Sequence, residues 1–351
     1  MSDFHSETLA ECQRLLDRLE DSPHDDVWLN VLKAMVGIGR LDLSRLDVKI
    51  LAATLRDMEM GYRAFLPHQH VRKISIFGSA RLPSHSPEYQ HAVNFAGCIA
   101  GRGFMVLTGG GGGIMEAGNE GAGLENSFGL NIQLPFEQEA NSVLASSDRV
   151  VNFKYFFTRK LFFLKESDAV VLFPGGFGTQ DEGFECLTLM QTGKTPLIPL
   201  VLVDRPGGRY WKEWDTYIQT NLLARGLVSP EDIKIYTITD DVGVACDTIA
   251  NFYSTFHSSR FVGDRLVLRL NAELTNESVD KLNDEFFDIV QSGKIEKTKA
   301  LPPELGDETE SLPRLMFHFN QRNFGRLWQL VRDINQLECI EHQVNLHPER
   351  K

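Results

Sequence analysis

The sequence has no long apolar run. Its longest apolar stretches, such as Ala169–Phe173, fall far short of the roughly 20 residues that cross a bilayer, so no membrane partner is expected. Met1–Asp21 is acidic and polar and lacks the basic start and apolar stretch of a secretion signal, which makes the cytoplasm the expected compartment. Cysteine is scarce. Cys12, Cys98, Cys186, Cys246 and Cys339 stand singly, with no CxxC pair and no histidine at zinc-ligand spacing, so they read as structural or inert thiols. The ten histidines form no HExxH or HxE arrangement, and no metal is expected. Positive charge is also in deficit: 36 Lys and Arg against 48 Asp and Glu give −12, which repels a polyanion and argues against a nucleic-acid polymer as partner. There is no GxxxxGK[ST] loop, and the GxGxxG fingerprint with its acidic residue is not cleanly met, so no nicotinamide, flavin or other cofactor is expected.

What remains is an ordinary globular composition, 42% hydrophobic and 24% charged, over 351 residues. That length exceeds a usual single domain, so one large domain with smaller additions is expected. Helical spacing (Leu9, Cys12, Leu15, Leu16, Leu19, then Leu51, Leu55, Met58) predicts a helical extension over 1–68. From Val71, short apolar runs alternate with helical segments: Ile74–Phe77, Met105–Leu107, Gly129–Ile132, Ala169–Phe173, Leu197–Val203 and Ile233–Ile238. Such alternation implies crossover connections and a parallel sheet covered on both faces. The expected fold is therefore α/β, a Rossmann-like doubly wound parallel sheet over 69–258. After it, strand Arg265–Leu270, helix Glu277–Val290, strand Lys294–Ala300, strand Leu315–Asn320 and helix Asn323–Ile334 predict a small α+β module of ferredoxin-like rhythm over 259–351. Its aromatics Phe317, Phe319, Phe324 and Trp328 read as core.

Two glycine clusters fall where strands end, at Gly109–Gly113 and Gly175–Gly178. In doubly wound sheets the ligand crevice lies at the carboxyl ends of the strands, so both clusters point to one edge. Glycines let backbone approach a ligand, and the free amides of a helix N-terminus attract phosphate. Gly175, Gly176, Gly178 and Thr179 are accordingly candidates for an anion, and so are Gly110, Gly111, Gly112 and Gly113. Gly78, Ser79 and Arg81, after the first strand, form a third loop at the same edge. Several side chains carry two readings. Thr179 and Glu182 match a capping box, while Glu182 equally suits catalysis. Glu116 suits dipole pairing in its helix's first turn or a substrate contact. Arg159 shares a helix face with Phe156, Phe162 and Phe163, as a snorkelling rim cation or as a charge aimed at a ligand anion. Lys160 points elsewhere, a solvated cation with a phosphate contact as the second reading.

Taken together, FGSAR, TGGGGGIMEAGNEGA, YFFTRK and PGGFGTQDE resemble the LOG family, also labelled "possible lysine decarboxylases", over roughly Val71 to Phe256. Pro174, Gly175, Gly176, Gly178, Thr179 and Glu182 meet every fixed position of PGGxGTxxE. The resemblance implies hydrolysis of the N-glycosidic bond of a nucleoside 5′-monophosphate, a cytokinin nucleotide or an ordinary purine or pyrimidine nucleotide, to free base and ribose 5-phosphate. It implies that Arg159 and Glu182 are the catalytic pair, that Gly175–Thr179 hold the 5′-phosphate, and that the protein is a homodimer or larger homo-oligomer. Decarboxylation fits poorly, because it needs a pyridoxal-phosphate lysine in a recognisable setting. The chain departs from small family members in its two extensions and in Gly112, where many relatives have proline. A non-catalytic nucleotide or cofactor carrier of the same fold is the alternative.

Overall fold

The computed structural model describes residues 11, 13–15, 17, 24–133, 140–145 and 147–340. Leu9, Cys12, Leu16 and Leu19 of the expected first helix lie outside the described residues. The chain divides into two compact units, 1–56 and 57–351. In the first, helix α1 (Asp25–Gly39) is followed by the start of α2 (Arg45–Phe65), which runs on into the second unit. Ser44 and Asp47 open α2 reciprocally: the Asp47 amide donates to Ser44 Oγ at 3.2 Å and the Ser44 amide to Asp47 Oδ2 at 3.1 Å.

The second unit is built on seven parallel strands: β1 (Lys73–Phe77), β2 (Met105–Thr108), β3 (Ser127–Ile132), β4 (Val150–Phe153), β5 (Ala169–Leu172), β6 (Leu200–Val203) and β7 (Tyr236–Thr239). Their order is β4-β3-β2-β1-β5-β6-β7. The chain thus starts in the middle, winds out to one edge, returns to pair β5 with β1, and winds out to the other. That return is the switch point at which doubly wound sheets leave a crevice. The apolar runs are continuous because both faces are covered: β2, β3, β5 and β6 are buried along their whole length. One face packs α3 (Pro87–Ala100), α4 (Ile114–Ala122) and α8 (Val242–Phe252) through Phe95, Ile99, Ile114 and Ile249. The other packs the end of α2 and α5 (Phe156–Glu166) through Phe65, Phe162 and Phe163, and α6 (Phe177–Gln191) through Cys186 and Met190. Helix α7 (Tyr210–Tyr217) follows β6.

A second, antiparallel sheet has the order β10-β11-β9-β8, from β8 (Phe256–Val262), β9 (Arg265–Leu270), β10 (Val290–Thr298) and β11 (Arg314–Phe319). With α9 (Asn276–Glu285), β9 and β10 form a split β-α-β unit, β11 lying between them. Helix α10 (Phe324–Ile334) packs Leu327, Trp328 and Val331 into a core that also holds Leu200 and Leu202 of the first sheet. Phe317, Phe319 and Trp328 are buried there, and Phe324 packs partly buried against them, in keeping with their reading as core.

Several expected boundaries move. The strand expected from Leu197 starts at Leu200, and the one expected from Ile233 starts at Tyr236, after a 3-10 turn over Asp232–Lys234. The helix expected to reach Val290 stops at Glu285 and gives way to a 3-10 turn, and the next strand begins at Val290 rather than Lys294. Strands β4 and β8 were not foreseen, because neither shows a clean apolar pattern: β4 is an edge strand with one exposed residue, and β8 carries His257, Ser258, Ser259 and Arg260.

Candidate functional site

Three loops interlock at the switch point. The Ser79 amide, after β1, donates to the Pro174 carbonyl, after β5, at 3.1 Å, and the Ile114 amide, opening α4, donates to the Ser79 carbonyl at 3.0 Å. Glycine is required where backbones meet. A Cβ on Gly113, whose φ is +63°, would lie 2.3 Å from the Ser79 carbonyl oxygen, and one on Gly175 would lie 2.1 Å from Thr179 Oγ1. The loops frame an open cavity of about 890 Å³. Gly78, Ser79, Arg81, Arg159, Gly175, Gly176, Gly178, Thr179 and Glu182 line it.

The base of the cavity is the start of α6. Gly176 is its N-cap, with no side-chain cap, and the Gln180 amide makes the first helical bond to the Gly176 carbonyl at 3.1 Å. The amides of the first turn precede that bond, at the positive end of the helix dipole. Thr179 therefore sits inside the helix, its side chain buried against Gly175, and Glu182 lies a turn further on. This rules out the capping-box reading of Thr179 and Glu182. Tyr210 of α7 braces the loop: its hydroxyl donates to the Gly175 carbonyl at 2.6 Å and accepts from Gln180 Nε2 at 2.7 Å. Sequence reasoning missed Tyr210; the only available signal was its position just past the loop that follows β6.

Arg159, half-buried on α5, donates from Nε to the Leu130 carbonyl at 2.7 Å, and its guanidinium lies 5.2 Å from the centroid of the Phe163 ring. Gly109 makes room for it: a Cβ there would stand 2.5 Å from Nη2 and 2.5 Å from Met115 Sδ. Burial pushes the Arg159 pKa down, opposed by the charge of Glu182. Glu182 is 12% exposed, and burial pushes its pKa up to about 7, with Lys160 pulling it down, Glu185 raising it and Arg159 pulling it down. No ion pair joins Arg159 to Glu182 among the described residues.

Two expected ligand groups stand elsewhere. Lys160 is not solvated and does not line the cavity. Its Nζ lies 2.7 Å from Asp181, 2.8 Å from Glu185 and 3.6 Å from Glu182. Burial works against its charge, but the bonds to Asp181 and Glu185 outweigh that and push its pKa up. The first glycine cluster forms the neighbouring shell, not the cavity wall. Asn141 donates from its amide to the Gly110 carbonyl at 2.8 Å and from Nδ2 to the Gly111 carbonyl at 3.1 Å. Among the described residues Gly112 has only the Ala80 carbonyl near it, at 3.8 Å from a Cβ built there. From this region Met115 reaches the cavity, whereas Gly110, Gly111, Gly112, Gly113 and Glu116 do not line it. Glu116 accepts from Ser142 Oγ at 2.9 Å. No cluster of three or more potential metal ligands occurs among the described residues.

Residues 111–249 match the family described as "Possible lysine decarboxylase", which bears out the family resemblance read from the motifs. A cytokinin riboside 5′-monophosphate phosphoribohydrolase of Mycobacterium tuberculosis (strain ATCC 25618 / H37Rv) is 29% identical over 167 residues, 46% of this chain and 86% of the relative. Among solved structures, the molybdenum cofactor binding protein of Rippkaea orientalis is similar at 16% identity and a TM-score of 0.37, over 50% of this chain and 94% of that one. The molybdenum cofactor carrier protein of Chlamydomonas reinhardtii is similar at 18% identity and a TM-score of 0.35, over 50% and 93%. No helix among the described residues is long and apolar enough to cross a membrane.

Proposed function

We propose that this chain hydrolyses the N-glycosidic bond of a nucleoside 5′-monophosphate, releasing free base and ribose 5-phosphate. One observation carries the reading: a buried carboxylate, a desolvated guanidinium and an uncapped helix N-terminus face a single cavity. The 5′-phosphate rests on the first-turn amides of α6, between Gly175 and Thr179, with the adjoining loop of Gly78, Ser79 and Arg81 beside it. Glu182 lies four residues beyond Gly178, about 6 Å along the helix, on the side where the sugar follows its phosphate.

In the reaction the bond from C1′ to the base nitrogen breaks, and the base leaves with the electron pair. Water adds to C1′ and gives up a proton to the Glu182 carboxylate, which also faces the positive charge developing on the ribosyl ring. The departing base takes a proton from solvent and Glu182 returns its own to solvent, so the sum is nucleotide plus water giving free base and ribose 5-phosphate. Arg159, tethered to Leu130, holds substrate oxygens. Lys160 sets the charge around Glu182 and does not contact phosphate. We assign catalysis to 69–258, with 1–68 a helical extension and 259–351 an α+β module. Exposed Phe157 and Leu161, one turn apart on α5 and outside the cavity lining, support a homo-oligomer joined at this face.

The test is release of base from AMP, GMP, CMP, UMP and an N6-substituted AMP, read by chromatography, for the wild type and Glu182→Gln. Release from one of them, lost in the variant with binding kept, supports the proposal. Full activity in the variant refutes the role of Glu182. Tight nucleotide binding without release from any substrate favours the carrier reading.

A further inference from the structure

Helix α5 carries Arg159 and Lys160, yet it has no cap of its own. Tyr155 stands at its N-cap with extended dihedrals and no side-chain bond. Nor is the first turn held by apolar packing, since Phe156 and Phe157 are each 55% exposed. The cap comes from α2. Asp57, 2% exposed, accepts the Lys154 amide on both oxygens at 3.1 Å, the Tyr155 amide at 3.2 Å and the Thr158 hydroxyl at 2.5 Å. Thr158, in that turn, is 1% exposed and turned inward. The Arg159 amide then makes the first helical bond, to the Tyr155 carbonyl at 3.2 Å.

One turn further on, both helices meet again. A Cβ on Gly61 would lie 2.3 Å from the Phe162 ring, and Phe162 packs edge-on to Tyr62 at 5.3 Å and against Phe65 at 6.2 Å. Asp57 and Gly61 face Thr158 and Phe162 at the same spacing of four, so the contact fixes the register of α5 along α2. A buried carboxylate at a helix N-terminus also meets the positive end of its dipole.

We propose that Asp57 is a positioning residue for the site: it fixes the start of α5 and hence the place from which Arg159 reaches the cavity. This rests on the role proposed above for Arg159. A substituent displaced by about 1 Å at such a site can reduce the rate by a factor of about 100. The last turns of α2, from Asp57 to Phe65, therefore complete the site without entering it.

The test uses the full-length protein as Asp57→Ala, Asp57→Asn and, as a destabilising control in the opposite core, Ile249→Val. Asp57→Ala is expected to speed hydrogen exchange of the amides of 156–161 about tenfold, the order of a lost cap, and to lower kcat at least tenfold. Asp57→Asn, which keeps one acceptor oxygen, recovers part of both, and Ile249→Val changes neither. Affinity for ribose 5-phosphate, read by calorimetry, needs no turnover. It is expected to fall in Asp57→Ala, but to fall no further when Asp57→Ala is added to Arg159→Ala. Exchange and kcat in Asp57→Ala equal to those of the control, or an equal affinity loss with and without Arg159, overturns the proposal. If the wild type releases no base, the reaction is refuted, and the affinity cycle alone decides the role of Asp57.

Discussion

Replacing Glu182 by Gln should stabilise the fold, and only at pH values where the carboxylate is ionised; on the proposed mechanism the same change abolishes turnover. Burial lifts the Glu182 carboxyl from 4.5 to about 7. A raised carboxyl pKa means that between these values the folded state holds a proton the unfolded state has released, so stability falls as pH rises. The cost is absent below 4.5, grows through the interval and is complete above about 7. At 1.36 kcal/mol per pH unit it reaches about 3 kcal/mol, and the 12% exposure of the side chain leaves little solvent to screen it. Glutamine has the shape of the neutral acid and carries none of this cost. At pH 8 the variant should gain about 3 kcal/mol of unfolding free energy, under 1 kcal/mol at pH 5, and nothing below pH 4. Urea titration at the three pH values measures this. A variant no more stable than the wild type at pH 8 would show that the carboxylate is satisfied where it sits, and the reasoning would fail.

Three further outcomes follow from the same geometry. If the ionised carboxylate accepts the proton, kcat/KM should rise with unit slope up to about pH 7 and level off, and a flat profile from pH 5 to 8 counts against it. Lys160→Met removes the cation set among Asp181, Glu182 and Glu185, so this midpoint should move to higher pH; an unmoved midpoint would separate Lys160 from the site electrostatically. Gly175→Ala drives a methyl onto Thr179 Oγ1, which should cost about 1–3 kcal/mol of stability and raise KM, whereas a silent substitution would contradict the close approach.

Six of the seven strands of the central sheet were legible as short apolar runs, and its ligand edge was legible because glycine follows β1 and β2 directly and β5 within three residues, at Gly78, Gly109 and Gly175. Glu182 and Arg159 could be named from the motif, but their burial could not, since it depends on β3, α5 and α6 meeting. Lys160 was misread for the same reason: its partners are 21–25 residues away on α6, and one helix's periodicity says nothing about what faces it. Asp57 is the extreme case, 97–101 residues from the groups it binds. In its own helix it looks like any solvated aspartate. Tyr210 likewise acts through a hydroxyl aimed at a backbone carbonyl, which leaves no trace in residue type.

The pairing of β1 with β5 joins residues some 95 positions apart, as in Ile74 with Ala169. Closing so long a stretch of chain is slow compared with forming the local hairpins and helices on either side. Both cavity walls hang from this one seam, Gly78–Arg81 from β1 and Gly175–Glu182 from β5. A refolding chain can therefore acquire most of its secondary structure before the cavity exists, and if the proposed function holds, ribose 5-phosphate binding marks the moment at which the two halves of the sheet close.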